Sequence, residues 1–309
     1  MSIGDNFQFC TLNGPLSTHP APLTLPIRSE HPSTFKYLLT LGKAYATFYK
    51  SGVIKIYTNY KASVPLQSRL DRSHHSSLPL AISSHSLNRQ EFQLLQRNWH
   101  DITRVPLFGL VFLICGEFTP LVVVALSGIV PWTCRIPRQI NSDRGKLEKR
   151  RTMSFRNLTQ APPPSSPSEM TDVETVRALS RMQLLHISWS LGLSSSIWDY
   201  LGGNLPGLPT FVLRRRVEKR VEYLEMDDVL LGKDGKRVGE LEEEELVLAL
   251  VDRGVDVLGR GEDVMRGDLE SWLRSRSQVP MASLMLTRPN TWPSKPKYLT
   301  KEKERNPKR

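Results

Sequence analysis

Glu117 stands three residues before Pro120 inside a run of 26 residues, Val105 to Val130, that is otherwise apolar or small. Desolvation in hydrocarbon favours the protonated form of such an acid, and the proline frees a backbone carbonyl beside it. A group that takes a proton or a cation in turn is what an exchanger requires. The plainer reading is a protonated acid hydrogen-bonded to nearby backbone. A second candidate is basic: Arg214, Arg215, Arg216, Lys219 and Arg220 crowd one stretch against a single intervening acid, Glu218. That pattern suits sequence-independent contact with RNA phosphates, and its alternative is a solvated helix face with intrahelical ion pairs. A third constellation, Asp101 and Arg104 with Pro106, sits at the mouth of the apolar run. The first two are spaced for an i,i+3 ion pair at headgroup level, worth about a few tenths of a kcal/mol.

Other chemistries find little support. Cys10, Cys115 and Cys134 have neither metal-ligand nor redox spacing. His74, His75 and His85 fall in a Ser-rich stretch without the carboxylate or cysteine partners of a zinc site. No nucleophile elbow or phosphate-binding glycine loop is present, so the reading is a non-enzyme with no cofactor, no metal and no structural disulfide.

The element that carries Glu117 follows from its length. At about 1.5 Å of rise per residue, a 26-residue helix outlasts the roughly 30 Å core of a bilayer, which predicts a single transmembrane helix over 105–130. Pro106 suits its first turn, Pro131 ends it, and Trp132 stands where an interfacial aromatic anchor would. Within about twenty residues of the run, Arg89, Arg97 and Arg104 precede it, whereas Arg135, Arg138, Arg144, Lys146, Lys149, Arg150 and Arg151 follow it. The positive-inside tendency then places the C-terminal half on the cytoplasmic-equivalent side, the matrix in a mitochondrion.

Net charge is uneven along the chain: +6 over 1–104, −5 over 171–276 and +6 over 277–309, within a total of +11. Basic flanks beside an acidic folded part fit contact with anionic lipid or nucleic acid. Residues 1–33 read as a disordered N-terminus without a secretory signal. Residues 34–104 read as membrane-proximal amphipathic helices and a loop. Thr34 to Lys61 holds no acid, interleaves lysines with aromatics, and suits a helix on a membrane surface. Residues 64–87 read as the loop, and Asn88 with Glu91 opens a helix whose apolar stripe is Phe92, Leu95, Trp99 and Ile102.

Beyond the span, 131–170 reads as a basic, Pro-rich linker. Residues 171–276 show helical periodicity and no strand-like alternation, which predicts an all-α unit of about five helices. Thr171 with Glu174 caps the first, Ser195 a second, and Pro209 opens a third whose stripe is Leu213, Val217, Val221 and Leu224. Leu241, Leu246, Ala249 and Leu250 mark the fourth, closed by Gly254; Val264, Met265, Leu269, Trp272 and Leu273 mark the fifth. Residues 277–309 read as a basic, disordered tail.

The stretch from Leu87-Asn-Arg-Gln-Glu-Phe92 to Trp99-His-Asp-Ile-Thr-Arg-Val-Pro-Leu-Phe108, then Cys115-Gly-Glu-Phe-Thr-Pro-Leu121, resembles the LETM family. A second block is Glu245-Leu with Ala249 and Arg253-Gly254, then Met265-Arg-Gly-Asp-Leu269 and Trp272-Leu273, similar to that family's ribosome-binding domain. The resemblance covers roughly residues 35–276. It implies a mitochondrial inner-membrane protein whose matrix domain docks mitochondrial ribosomes during membrane-protein insertion. Its alternative implication is cation/proton exchange, of potassium or calcium, through Glu117. One span cannot enclose a pathway, so exchange requires a homo-oligomer or another partner. The family's calcium loop is not carried over: with Gly235 sixth, Leu230 falls first, and with Gly232 sixth, Val229 and Leu231 occupy the third and fifth positions. No long heptad repeat follows the domain either.

Overall fold

The computed structural model describes residues 12–30, 33–74, 76–115, 127–158, 175–194, 208–232 and 236–292. The fold is all-α, and every regular element among the described residues is helical. The chain divides into two compact units, residues 1–143 and 144–309.

The first unit is organised by α1, Thr34–His74, with α2 (Leu78–Ser83), α3 (Arg89–Ile102) and α4 (Val105–Cys115). α1 runs straight through Pro65 into the region expected to be a loop. Proline removes one backbone donor there. Packing against α3 compensates: Leu70 is buried, Arg69 bonds Glu91 at 2.8 Å, and the Asn98 amide bonds Ser63 at 2.8 Å. The start of α3 is as expected, since the Asn88 side chain accepts from the Glu91 amide while Glu91 accepts from the Asn88 amide. Its buried face is not. Trp99 is 70% exposed, and the buried residues of α3 include Phe92 and Leu94 together with the hydrogen-bonded Asn98 and Asp101. A polar residue satisfied by a partner helix reads as solvent-facing in a sequence.

The N-terminal segment departs from the expected disorder across 12–30. Leu12 is buried, Arg89 donates to its carbonyl at 2.8 Å, Asn59 to that of Ser17 at 3.1 Å and Lys55 to that of His19 at 3.0 Å. Side-chain donors on two helices thus satisfy an irregular strand of backbone, for which apolar periodicity gives no signal. A short 3-10 turn, Trp132–Cys134, packs against α1 so closely that a methyl on Gly52 would stand 2.6 Å from Cys134 Sγ. Burial pushes the Cys134 thiol up to about 12.

Among the described residues no helix is long and apolar enough to cross a membrane. Helical structure at the start of the apolar run is present as α4, while residues 116–126 lie outside the described residues. The two ends of the span expected over 105–130 meet in the structure. Arg104 Nε donates to the Gly128 carbonyl at 3.2 Å, whereas 24 helical residues would separate them by about 36 Å.

The second unit contains most of α5 (Pro137–Leu158), α6 (Arg181–Ser190), α7 (Thr210–Leu231), α8 (Glu243–Asp252), α9 (Glu262–Arg276) and α10 (Met281–Leu284). α7, α8 and α9 bury most of the expected stripes, with Val221 half-buried and Val264 exposed. Gly232 at φ +89 and Gly254 at φ +79 end α7 and α8, using a left-handed backbone that other residues resist. The first expected helix begins later, capped by Ser180 with Gln183; Thr171, Glu174 and Ser195 lie outside the described residues.

Residues 137–158 are no linker. Arg151 is buried and donates from Nε and Nη2 to the Ser190 carbonyl at 3.1 and 3.0 Å, and Phe155 packs edge-on against His186. Arg89 and Arg151, both counted as flanking charges, therefore serve protein contacts and are weak guides to sidedness. The tail is folded to Trp292, whose ring meets Trp272 at 5.2 Å and whose Nε1 donates to Thr287.

His186 lies between the Ser154 and Ser190 hydroxyls, 2.8 Å from its Nδ1 and 3.4 Å from its Nε2. Burial first, then the charges of Arg288 and Arg151, lower its pKa to about 4, against a Ser154 hydrogen bond that raises it. Because the unfolded imidazole titrates near 6.5, the unfolded chain binds the extra proton between those values. Stability is therefore full above pH 6.5 and is lost as pH falls toward 4, by roughly 2 to 3 kcal/mol. Urea melts of the full chain across this range should show that slope, and His186→Gln should flatten it.

Candidate functional site

At the mouth of the apolar run, the three expected residues come together in a different way. Asp101 is buried and accepts the Trp132 amide at 2.6 Å, the Thr133 amide at 3.3 Å and the Thr133 hydroxyl at 3.1 Å, with His100 Nδ1 3.0 Å away. It caps the 3-10 turn where the chain returns from the apolar run. Arg104 donates to the His100 and Gly128 carbonyls. Burial and the nearby Arg135 charge lower its pKa, and Asp101 partly offsets this. The expected headgroup ion pair is thus replaced by a clasp between the chain entering the apolar run and the chain leaving it. Pro106 occupies the second position of α4, in the first turn as expected. Glu117 and Pro120 lie outside the described residues.

The basic cluster lies on α7, which packs against α6. Its members divide by environment. Arg220 bonds Asp252 at 2.7 Å and stacks over Tyr223, whose hydroxyl also bonds Asp252 at 2.9 Å, so this arginine ties α7 to α8. Arg216 donates to the Leu193 carbonyl at 2.8 Å and Arg214 is half-buried. Arg215 and Lys219 are exposed, four residues apart and on one face. One turn before Arg215, on the same face, Phe211 is 72% exposed. Sequence reasoning missed Phe211 because an aromatic at the start of an apolar stripe reads as core. An exposed ring followed by two cations at helical spacing can stack on a base while its neighbours meet phosphates.

Further along the helix, Asp227 and Asp228 are buried near the C-terminal end of α7. Arg253, fully enclosed, reaches Asp227 at 2.8 Å, Asp228 at 2.6 Å and the Ala249 carbonyl at 2.8 Å. Trp272 Nε1 donates to Asp228 Oδ2 at 3.1 Å, and Arg276 Nε lies 3.3 Å from the same oxygen. Burial disfavours the arginine charge, but the two carboxylates outweigh it and hold the guanidinium proton more tightly than usual. Asp227 and Asp228 thus form the polar centre joining α7, α8 and α9.

A protein-family model described as LETM1-like, RBD, matches residues 170–291. The stretch over 170–291 is thus similar to a LETM1-like RBD. The match supports the LETM resemblance of the second sequence block and extends it past residue 276, through α10 to the turn before Trp292. Neither the curated proteins nor the solved structures compared with the chain gave a match. Within the RBD, the Arg253 cluster fixes α7 against α8 and α9, and α7 in turn presents Phe211, Arg215 and Lys219 to solvent.

Proposed function

We propose that the RBD binds mitochondrial ribosomes and that the rest of the chain keeps them at the inner membrane, supporting insertion of proteins made there. The family match over 170–291 carries this reading. The exposed face of α7 supplies a chemistry for it. Arg215 and Lys219 would neutralise ribosomal RNA phosphates and Phe211 would stack on an unpaired base.

Binding of this kind weakens steeply with salt, by about one power of salt concentration for each phosphate neutralised. The double variant Arg215→Glu, Lys219→Glu should lower co-sedimentation of the full chain with mitochondrial ribosomes at least tenfold. Its log affinity against log salt slope should fall by about 2, one unit for each lost phosphate contact. Arg220 is left intact because its loss would also open the Asp252 contact. Unchanged affinity and slope would remove this face from ribosome contact.

A further inference from the structure

The mouth of the apolar run decides how it meets lipid. Entry at Arg104 and exit at Gly128 are hydrogen-bonded, and Asp101 holds the returning amides of Trp132 and Thr133. Phe108 on α4 and Val130 at the end of the run share one buried cluster with Phe48, Tyr49 and Ile56 of α1. α4 itself runs for 11 residues, about 16 Å, roughly half of a bilayer's hydrocarbon core, with Phe108 rooted in this base. Val105, Leu107, Leu110, Leu113 and Ile114 are exposed over more than half of its circumference, with Leu113 at 82%. A partner helix or peptide covers a stripe, whereas a coat of this width matches lipid chains.

The surface around the base fits headgroups. Phe35, Val53, Tyr57, Tyr60 and Val64 line one exposed stripe of α1. Lys43, Lys50 and Lys61 run along its edge, the last stacked over Tyr57 at 4.8 Å. Aromatic rings beside lysines, in a stretch without acids, are the composition of a helix seated at an anionic interface.

We infer that the apolar run enters a membrane and leaves it on the same side, with α4 in the acyl chains of an anionic leaflet and α1 lying on its headgroups. The chain before Val105 and the chain after Val130 then share one aqueous compartment, and no complete crossing is made. Nothing in this arrangement depends on ribosome binding.

The test uses the full chain with Cys10→Ser and Cys115→Ser, bound to sealed vesicles of phosphatidylcholine with a minor share of phosphatidylglycerol. Cys134 is buried and stays unreactive. Thr103→Cys and Gly128→Cys are combined in one molecule; a side chain at Gly128 meets open space. A bilayer-impermeant maleimide is added before the vesicles are opened, and intact mass counts the labels. The expected result is two labels or none on each molecule, and a polarity-sensitive dye on Leu113→Cys that reports hydrocarbon and is quenched by lipid-borne quencher. One label per molecule, with the second appearing only after detergent, overturns the inference by showing a crossing. A dye at position 113 that reports water overturns it by showing no insertion.

Discussion

Arg253→Ala should destabilise the RBD by about 3 to 5 kcal/mol, the usual cost of stranding a buried charge when its partner is removed. Two carboxylates, Asp227 and Asp228, would be left almost without solvent and without their shared guanidinium, with Asp228 still facing Trp272 Nε1 and Arg276. Hydrogen exchange of the full chain should show α7, α8 and α9 losing protection together, since the guanidinium ties α7 to α8 and Asp228 in turn ties α7 to Trp272 of α9. The compensating variant separates lost charge balance from lost packing. Adding Asp227→Asn and Asp228→Asn to Arg253→Met removes every stranded charge and should recover more than half of the loss. A single-variant effect below about 1 kcal/mol would mean that the cluster is not holding the helices together.

In the other unit the largest effect is expected at Asp101. Asp101→Ala leaves the Trp132 amide, the Thr133 amide and the Thr133 hydroxyl without their acceptor in a region where Thr133 is fully buried. Each such orphan costs about 1 to 3 kcal/mol, less whatever water can recover, so a net loss of about 3 kcal/mol is expected. It should be local. The amides of residues 132 and 133 should exchange roughly 100-fold faster while those in the centre of α1 hold their protection. Asp101→Asn keeps an acceptor oxygen and should cost less. Equal exchange in wild type and alanine variant would show that the returning chain is held elsewhere.

Much of the RBD was legible from periodicity, and the reasons are physical. Leu213, Val217, Leu224, Leu246, Leu250, Leu269 and Trp272 recur at helical spacing because one face of each helix meets one core, and the glycines at 232 and 254 mark the ends. The elements that were missed are those whose contacts are polar or singular. α5 was hidden because Arg151 does the work of an apolar residue by bonding a carbonyl, which leaves Phe155 isolated in a charged stretch. The N-terminal segment was hidden because its backbone is satisfied by Arg89, Asn59 and Lys55 from distant parts of the chain.

The candidate sites show the same division. The basic stretch on α7 was readable as composition, but composition cannot separate Arg220, committed to Asp252, from Arg215 and Lys219, which face solvent. The apolar run was readable as composition, while the meeting of its two ends was not. Hydropathy counts length alone, and the clasp of Asp101 and Arg104 on Trp132 and Gly128 is a contact between residues 24 to 31 positions apart.

Vesicle flotation tests the central claim most directly. The full chain is seated on vesicles of phosphatidylcholine and phosphatidylglycerol, salt-washed mitochondrial ribosomes are added at low salt, and the mixture is floated through a density gradient. Ribosomal RNA should rise with the vesicles when the chain is present, and should stay at the bottom with bare vesicles or with the Arg215→Glu, Lys219→Glu chain. Ribosomes left at the bottom, although the wild-type chain itself has floated, would contradict an RBD that holds ribosomes at a membrane.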